Sequence, residues 1–304
     1  MRPPLRQAGS EGSRVHHLSS GVGKPLLLIH GLGGSWCSWT PVLATLAAQR
    51  QVIAVDLPGF GETPPLPGEV SIATLADATC DFLAARRLIG VDAVGSSMGA
   101  RLVLELARRG VIGATVSLDP GGFWQGWERS FFHRSIGLSI KAVRLLQPVM
   151  PWITGNALGR TLLLSQLSAR PWALLADLAL TEMRSYAQSP SFDPLLRSLV
   201  FGPEQRGAPA GSTPGPITIG WGRKDRVCLT RQAERALQRF PSARLHWFER
   251  CGHFPHWDQP EQAAQLILEA TGDTARERPA ASPQSNTAAA AAMPQEGADT
   301  WQIN

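Results

Sequence analysis

The sequence predicts an α/β fold: a mostly parallel central sheet with helices on both faces and a helical block inserted into it. Three observations predict it. Short apolar runs alternate with helix-like segments along most of the chain, as in a parallel sheet crossed over by helices. The run Gly95-Ser96-Ser97-Met98-Gly99 reads G-x-S-x-G and stands between a strand candidate and a helix candidate. The alternation then stops at about residue 122 and resumes only after residue 216.

Each element has its own justification. Residues 25–29 (Pro-Leu-Leu-Leu-Ile) form a continuous apolar run, as expected of a strand buried on both faces, and Gly31-Leu32-Gly33-Gly34 ends it. A helix candidate covers residues 39–49. Residues 51–55 form a second buried strand, closed by Asp56-Leu57-Pro58-Gly59-Phe60-Gly61. Ser71 is placed to cap a helix running to residue 87, because its hydroxyl can accept a bond from an otherwise unpaired backbone N–H. Residues 91–94 are a strand candidate. Leu102, Val103 and Leu106 then recur at helical spacing, and Gly110 ends that helix. Residues 114–118 are a further strand. Residues 217–221 and 244–248 resume the alternation, with helices near 231–240 and 261–270.

The predicted organisation follows. Residues 1–24 form a flexible N-terminal segment, 25–121 the first part of the core, 122–205 a helical cap, and 206–272 the second part of the core. Residues 273–304, rich in Ala, Pro, Ser and Gln, form a disordered tail with little to bury. Composition is ordinary for a globular chain: 304 residues, 43% hydrophobic, 17% charged, net charge +5. No basic block with interleaved aromatics points to nucleic acid. Cys37, Cys80, Cys228 and Cys251 form no C-x-x-C pair, which fits reduced thiols and a cytoplasmic location. No apolar h-region marks a signal peptide, and no uninterrupted apolar stretch predicts a membrane span. Neither a metal nor a cofactor is called for, and the sequence does not address oligomeric state.

The chemistry lies at the ends of strands. A serine hydroxyl is a weak nucleophile until a base takes its proton; that base is usually histidine, oriented by a carboxylate. Ser97 sits on the turn of the G-x-S-x-G run, where Cβ-free neighbours tolerate unusual backbone angles. Asp225, in Trp221-Gly222-Arg223-Lys224-Asp225, follows one later strand, and His253, in Cys251-Gly252-His253-Phe254-Pro255, follows the next. All three would gather at the carboxyl ends of the strands, where ligands bind in such sheets. Asp119, after residues 114–118, is the alternative acid. Ser96 is the alternative serine, although frame and turn geometry select Ser97.

In these residues the chain resembles the α/β-hydrolase fold family, of the capped serine type. The resemblance spans roughly residues 25–270 and rests on four blocks: His30-Gly31-Leu32-Gly33, Asp56 to Gly61, the Gly95–Gly99 turn, and the Asp225 and His253 segments. It implies that the backbone N–H groups of Leu32 and Met98 form an oxyanion hole. It implies a serine hydrolase that cleaves a small apolar acyl substrate, an ester first of all, without a cofactor. Meta-cleavage-product hydrolases, which split a carbon–carbon bond beside a ketone, share fold and triad. Cofactor-free haloperoxidase or perhydrolase chemistry, acyl transfer, and a non-catalytic small-molecule receptor are the other readings. A serine in place of aspartate argues against dehalogenase and epoxide hydrolase chemistry, and the single tyrosine, Tyr186, removes the usual epoxide hydrolase lid pair. The sequence lacks the proline common two residues after His30-Gly31. Phe123 and Trp124, which open the cap, are the candidate substrate-contacting residues. His30 is read as bonding within its own loop, and His256 as structural or at the surface.

Overall fold

A computed structural model describes residues 15–272. Seven strands build one sheet: β1 (His17–Ser20), β2 (Pro25–Ile29), β3 (Gln51–Val55), β4 (Asp92–Ser96), β5 (Thr115–Leu118), β6 (Ile217–Gly222) and β7 (Arg244–Phe248). Their order is β1-β3-β2-β4-β5-β6-β7; β1 runs antiparallel to β3 and every other pair is parallel. The strand that carries the G-x-S-x-G turn thus lies at the centre, flanked by β2 and β5. The helices are α1 (Thr40–Ala47), α2 (Ile72–Ala85), α3 (Met98–Arg108), α4 (Glu128–Leu145), α5 (Met150–Gly155), α6 (Ala157–Leu164), α7 (Ala176–Gln188), α8 (Phe192–Phe201), α9 (Gln232–Arg239), α10 (Pro255–Asp258) and α11 (Pro260–Thr271).

Side chains alternate across a strand, and here the alternation feeds two cores. Leu26, Leu28, Val52 and Ala54 pack with Trp39, Val42 and Leu46 beside α1 and with Ala263 and Ile267 of α11. Leu27, Ile29, Ile53 and Val55 face the other way, onto the core shared with α2, α3 and α9. Both faces are covered, which is why these strands read as unbroken apolar runs rather than as alternating ones. Ser71 caps α2 as expected, in a reciprocal capping box with Thr74.

The expected flexible segment 1–24 is corrected in part. Residues 17–20 pair with residues 52–55 as an antiparallel edge strand. Its burial pattern is mixed, because an edge strand is held by ladder hydrogen bonds more than by apolar burial. Residues 1–14 and the expected tail at 273–304 lie outside the described residues. The block between β5 and β6 contains five helices, α4 to α8, and no strand. Among the described residues no helix is long and apolar enough to cross a membrane.

Candidate active site

The turn after β4 is strained in the way its sequence anticipates. Ser97 adopts φ 56° and ψ −113° between β4 and α3, a left-handed conformation that ordinary side chains seldom take. The flanking glycines are there for space. A Cβ on Gly95 would lie 2.1 Å from the Gly99 carbonyl oxygen, and one on Gly99 would lie 2.4 Å from the carbonyl oxygens of Ile29 and His30. Strand and helix can approach this closely only without side chains at those positions. The result lifts Ser97 Oγ to 2.7 Å from His253 Nε2. Ser96, one residue earlier, is buried, and its hydroxyl has no partner among the described residues.

His253 and Asp225 arrive from the ends of β7 and β6. His253 Nδ1 lies 2.8 Å from Asp225 Oδ2. Asp225 is fixed through its other oxygen, which accepts the N–H groups of Val227 (2.7 Å) and Cys228 (3.1 Å). A carboxylate on Nδ1 selects the tautomer that carries its proton there, so Nε2 is left to accept from Ser97. The His253 loop is anchored to the cap. The His253 N–H donates to the Leu167 carbonyl at 2.8 Å, and Asp258 accepts from Gly252 N–H at 2.7 Å, from Ala169 N–H at 2.8 Å and from the Ser168 hydroxyl.

Asp119, the alternative acid, does not reach the imidazole. One of its oxygens accepts the Gly222 N–H at 2.8 Å, and the other has no hydrogen-bond partner in the structure. Burial first, and then the neighbouring charge of Asp225, push its carboxyl well above the ordinary range. Its charged form is thus disfavoured beside the Asp225 carboxylate.

The loop after β2 is the second half of the site. His30 Nδ1 donates to the Gly31 carbonyl at 2.7 Å, and Nε2 accepts the Leu57 N–H at 3.0 Å. Burial lowers its pKa, so His30 is a neutral brace for the loop. Leu32 lines the same cavity as Ser97. Met98 is the first residue of α3, so its N–H has no acceptor within the helix. One face of the cap helix α7 grips this loop, through residues the sequence reading did not single out. The Ser185 hydroxyl donates to the Gly33 carbonyl at 2.7 Å, and Ser38 donates to Glu182 Oε1 at 2.8 Å. Glu182, buried and with its second oxygen unpartnered, has its pKa raised to about 8 by burial. Spacing of i, i+3 along α7 puts both contacts on one side.

Above Ser97 lies a partly open cavity of about 70 Å³. Its wall is apolar: Phe132, Ile140, Val143 and Met183 come from the cap, Leu32 and Phe254 from the core. The polar groups are few: Ser97, His253, Tyr186 and the pair Ser139–Gln166, which share a 2.7 Å hydrogen bond. No Arg, Lys, Asp or Glu is among the lining residues. Phe123 and Trp124, the sequence-based candidates, are not there either. Phe123 packs edge-on against Phe240 and Trp124 against Phe132, one layer outside the wall. Packing claims both rings, Phe123 at the end of α9 and Trp124 between Phe132 of α4 and the Arg101 guanidinium.

Two further histidine and cysteine questions are decided locally. His256 is buried and stacked on Trp39 at 4.5 Å, and burial lowers its pKa to about 3, so it serves as a packed neutral ring. Asp225, Cys228 and His253 present atoms within 4.8 Å of one another, close enough for a metal. Burial raises the Cys228 thiol far above its ordinary pKa, however, and Asp225 and His253 are already bonded to each other. The donor set suits a proton relay better than a thiolate-bearing metal site.

Comparison with known proteins agrees with this architecture. Residues 26–266 match the model of the alpha/beta hydrolase family, and the chain belongs to that family and is a hydrolase of that fold. It is 30% identical to a 2-hydroxy-6-oxo-2,4-heptadienoate hydrolase of Pseudomonas putida, over 86% of this chain and 91% of the relative. Among solved structures, a thermophilic esterase from Thermogutta terrifontis superposes with a TM-score of 0.66 at 19% identity, covering 84% of this chain and 92% of that one. A meta-cleavage product hydrolase from Pseudomonas fluorescens gives a TM-score of 0.65 at 21% identity, over 86% and 94%.

Proposed function

We propose that the protein is a serine hydrolase that cleaves an uncharged, apolar carboxylic ester through an acyl-enzyme. The observation that supports this most is the single imidazole bonded at once to Ser97 Oγ (2.7 Å) and Asp225 Oδ2 (2.8 Å), at the floor of an apolar cavity. His253 takes the Ser97 proton as Oγ attacks the ester carbonyl. Asp225 keeps the imidazole in the productive tautomer and stabilises its charged form. The N–H groups of Leu32 and Met98 receive the oxyanion; such donors act on charge that develops only in the transition state. His253 then returns the proton to the departing alcohol. Water, activated by the same imidazole, releases the acid. The cap excludes bulk water and shapes the acyl site.

Carbon–carbon hydrolysis is the second reading, favoured by the relative from Pseudomonas putida. The dienoate in that relative's name is an anion. A buried carboxylate needs a cationic or multiply hydrogen-bonding partner, and the cavity wall here offers no cationic side chain. The neutral ester is therefore the better match. The test is steady-state turnover of p-nitrophenyl esters of increasing acyl length, run beside a ring-opened vinylogous diketo acid. Ester turnover that requires Ser97, with little on the diketo acid, is the expected result. Efficient cleavage of the diketo acid with negligible ester turnover would replace this reading by the second.

A further inference from the structure

The cap is apolar on its outside as well as its inside. Its inner faces supply Ile136, Ile140, Val143 and Leu163 to the cavity. The outer faces of the same helices carry Leu138 (71% exposed), Leu145 (80%), Leu158 (70%) and Leu162 (74%). Trp152 (76%), Trp172 (52%) and Leu175 (70%) continue this surface. Leu138 and Leu145 are seven residues apart on α4, and Leu158 and Leu162 four apart on α6, so each pair shares a helix face. From α5 through α6 to the turn at Pro171–Ala173, each element packs on the next, so these side chains form an extended outer layer. Together they expose on the order of 800 Å², more than the few hundred that one patch on a soluble monomer normally shows.

Charge on this layer is one-sided. Between Arg129 and Ala176 the sequence has no Asp or Glu, where the chain-wide frequency would place about four. The same stretch holds Arg129, Arg134, Lys141, Arg144, Arg160 and Arg170. Arg129 and Arg144 pair with acids elsewhere, and Arg160 bonds backbone carbonyls. Arg134, Lys141 and Arg170 form no ion pair among the described residues. Exposed Leu and Trp interleaved with unpaired cations, in a stretch of sequence without Asp or Glu, match the chemistry of an anionic bilayer surface: the rings and aliphatic chains enter the headgroup boundary and the cations meet lipid phosphates.

We propose that the outer face of the cap, centred on α4 to α6 and Trp172, is a docking surface for membranes that contain anionic phospholipid. This does not depend on the reaction assigned to Ser97. It would, however, set the cap between the bilayer and the cavity, where an apolar substrate is concentrated.

The experiment is flotation of the full-length protein with extruded vesicles, either phosphatidylcholine alone or phosphatidylcholine with phosphatidylglycerol, at low and high salt. The expected result is binding to the anionic vesicles, at least ten-fold weaker without phosphatidylglycerol and weakened several-fold by high salt. The double variant L158N/L162N should bind at least ten-fold more weakly. K141E/R170E, which leaves the apolar layer intact, should lose several-fold and most of the salt dependence. Unchanged melting curves and unchanged turnover of a short soluble ester show that these variants fold. No binding to anionic vesicles, or equal binding by all variants, overturns the proposal. So does light scattering that gives a dimer which L158N/L162N converts to monomer without any vesicle binding, since a second copy then covers this face.

Discussion

Replacing Asp225 by Asn separates the two acids of this site, and the structure says how. Asp225 Oδ1 accepts two backbone N–H groups, from Val227 and Cys228. An asparagine must keep its carbonyl oxygen there, because its NH₂ would leave both donors unpaired. The NH₂ is then turned towards His253 Nδ1, where a carboxylate oxygen now sits at 2.8 Å. Facing a donor, the imidazole moves its proton to Nε2 and can no longer accept from Ser97. A wrong-tautomer triad of this kind loses about 10⁴ in kcat, or about 5.5 kcal/mol of transition-state stabilisation. Asp119→Asn is the contrasting change. Its oxygen still accepts the Gly222 N–H, and its NH₂ replaces a carboxyl oxygen that makes no hydrogen bond. We expect a loss below about ten-fold, the scale of one altered neutral hydrogen bond. The assay is steady-state hydrolysis of p-nitrophenyl butyrate, with melting temperature as the fold control. An Asp225→Asn enzyme within ten-fold of wild type, or a larger loss in Asp119→Asn, would rule out Asp225 as the acid that orients His253.

Three further outcomes follow from the same geometry. Ser185→Ala removes the 2.7 Å bond from α7 to the Gly33 carbonyl and loosens the loop that carries Leu32; kcat should fall about five-fold with KM little changed, as expected for about 1 kcal/mol lost mainly in the transition state. Glu182, raised by burial to about 8, keeps its proton in the folded state while the unfolded chain has lost it from near pH 4.5. Stability drawn from this group therefore falls as pH rises from about 4.5 to 8, by on the order of 5 kcal/mol, and Glu182→Gln should melt progressively higher than wild type across that window; parallel melting curves at every pH would contradict it. Gly99→Ala places a Cβ 2.4 Å from two backbone oxygens, so it should express as insoluble protein or melt far below wild type, whereas Ser96→Ala should remain soluble.

The core of the site is legible in the sequence because its residues stand at strand ends marked by local chemistry. Unbroken apolar runs locate β2 and β3, and glycines flag the turn at Ser97 because only Cβ-free residues fit there. Asp225 and His253 each follow a later strand candidate. Choosing between Asp225 and Asp119 is another matter. Both follow strands, and the choice depends on which carboxylate reaches across β6 to the imidazole, a tertiary distance. The same limit explains Phe123 and Trp124. In a helical block without strand rhythm, composition shows that aromatics pack but not against what, and the wall is built from Phe132, Ile140 and Met183 instead. Strand β1 escaped because residues 17–20 (His-Leu-Ser-Ser) carry one apolar side chain, and an edge strand needs no more. The grip of Glu182 and Ser185 on the loop at Gly33 left no distinct signal, because α7 also carries Asp177, Thr181, Arg184 and Gln188 and nothing in the sequence separates the two that face the loop.

If Ser97 is the nucleophile of an acyl transfer, a fluorophosphonate must react there, and peptide mass spectrometry of the treated protein locates the adduct. A stoichiometric adduct on Ser97 is expected, kept in Ser96→Ala, slowed in Asp225→Asn and absent in Ser97→Ala. An adduct on Ser96, or labelling that survives in Ser97→Ala, would contradict it.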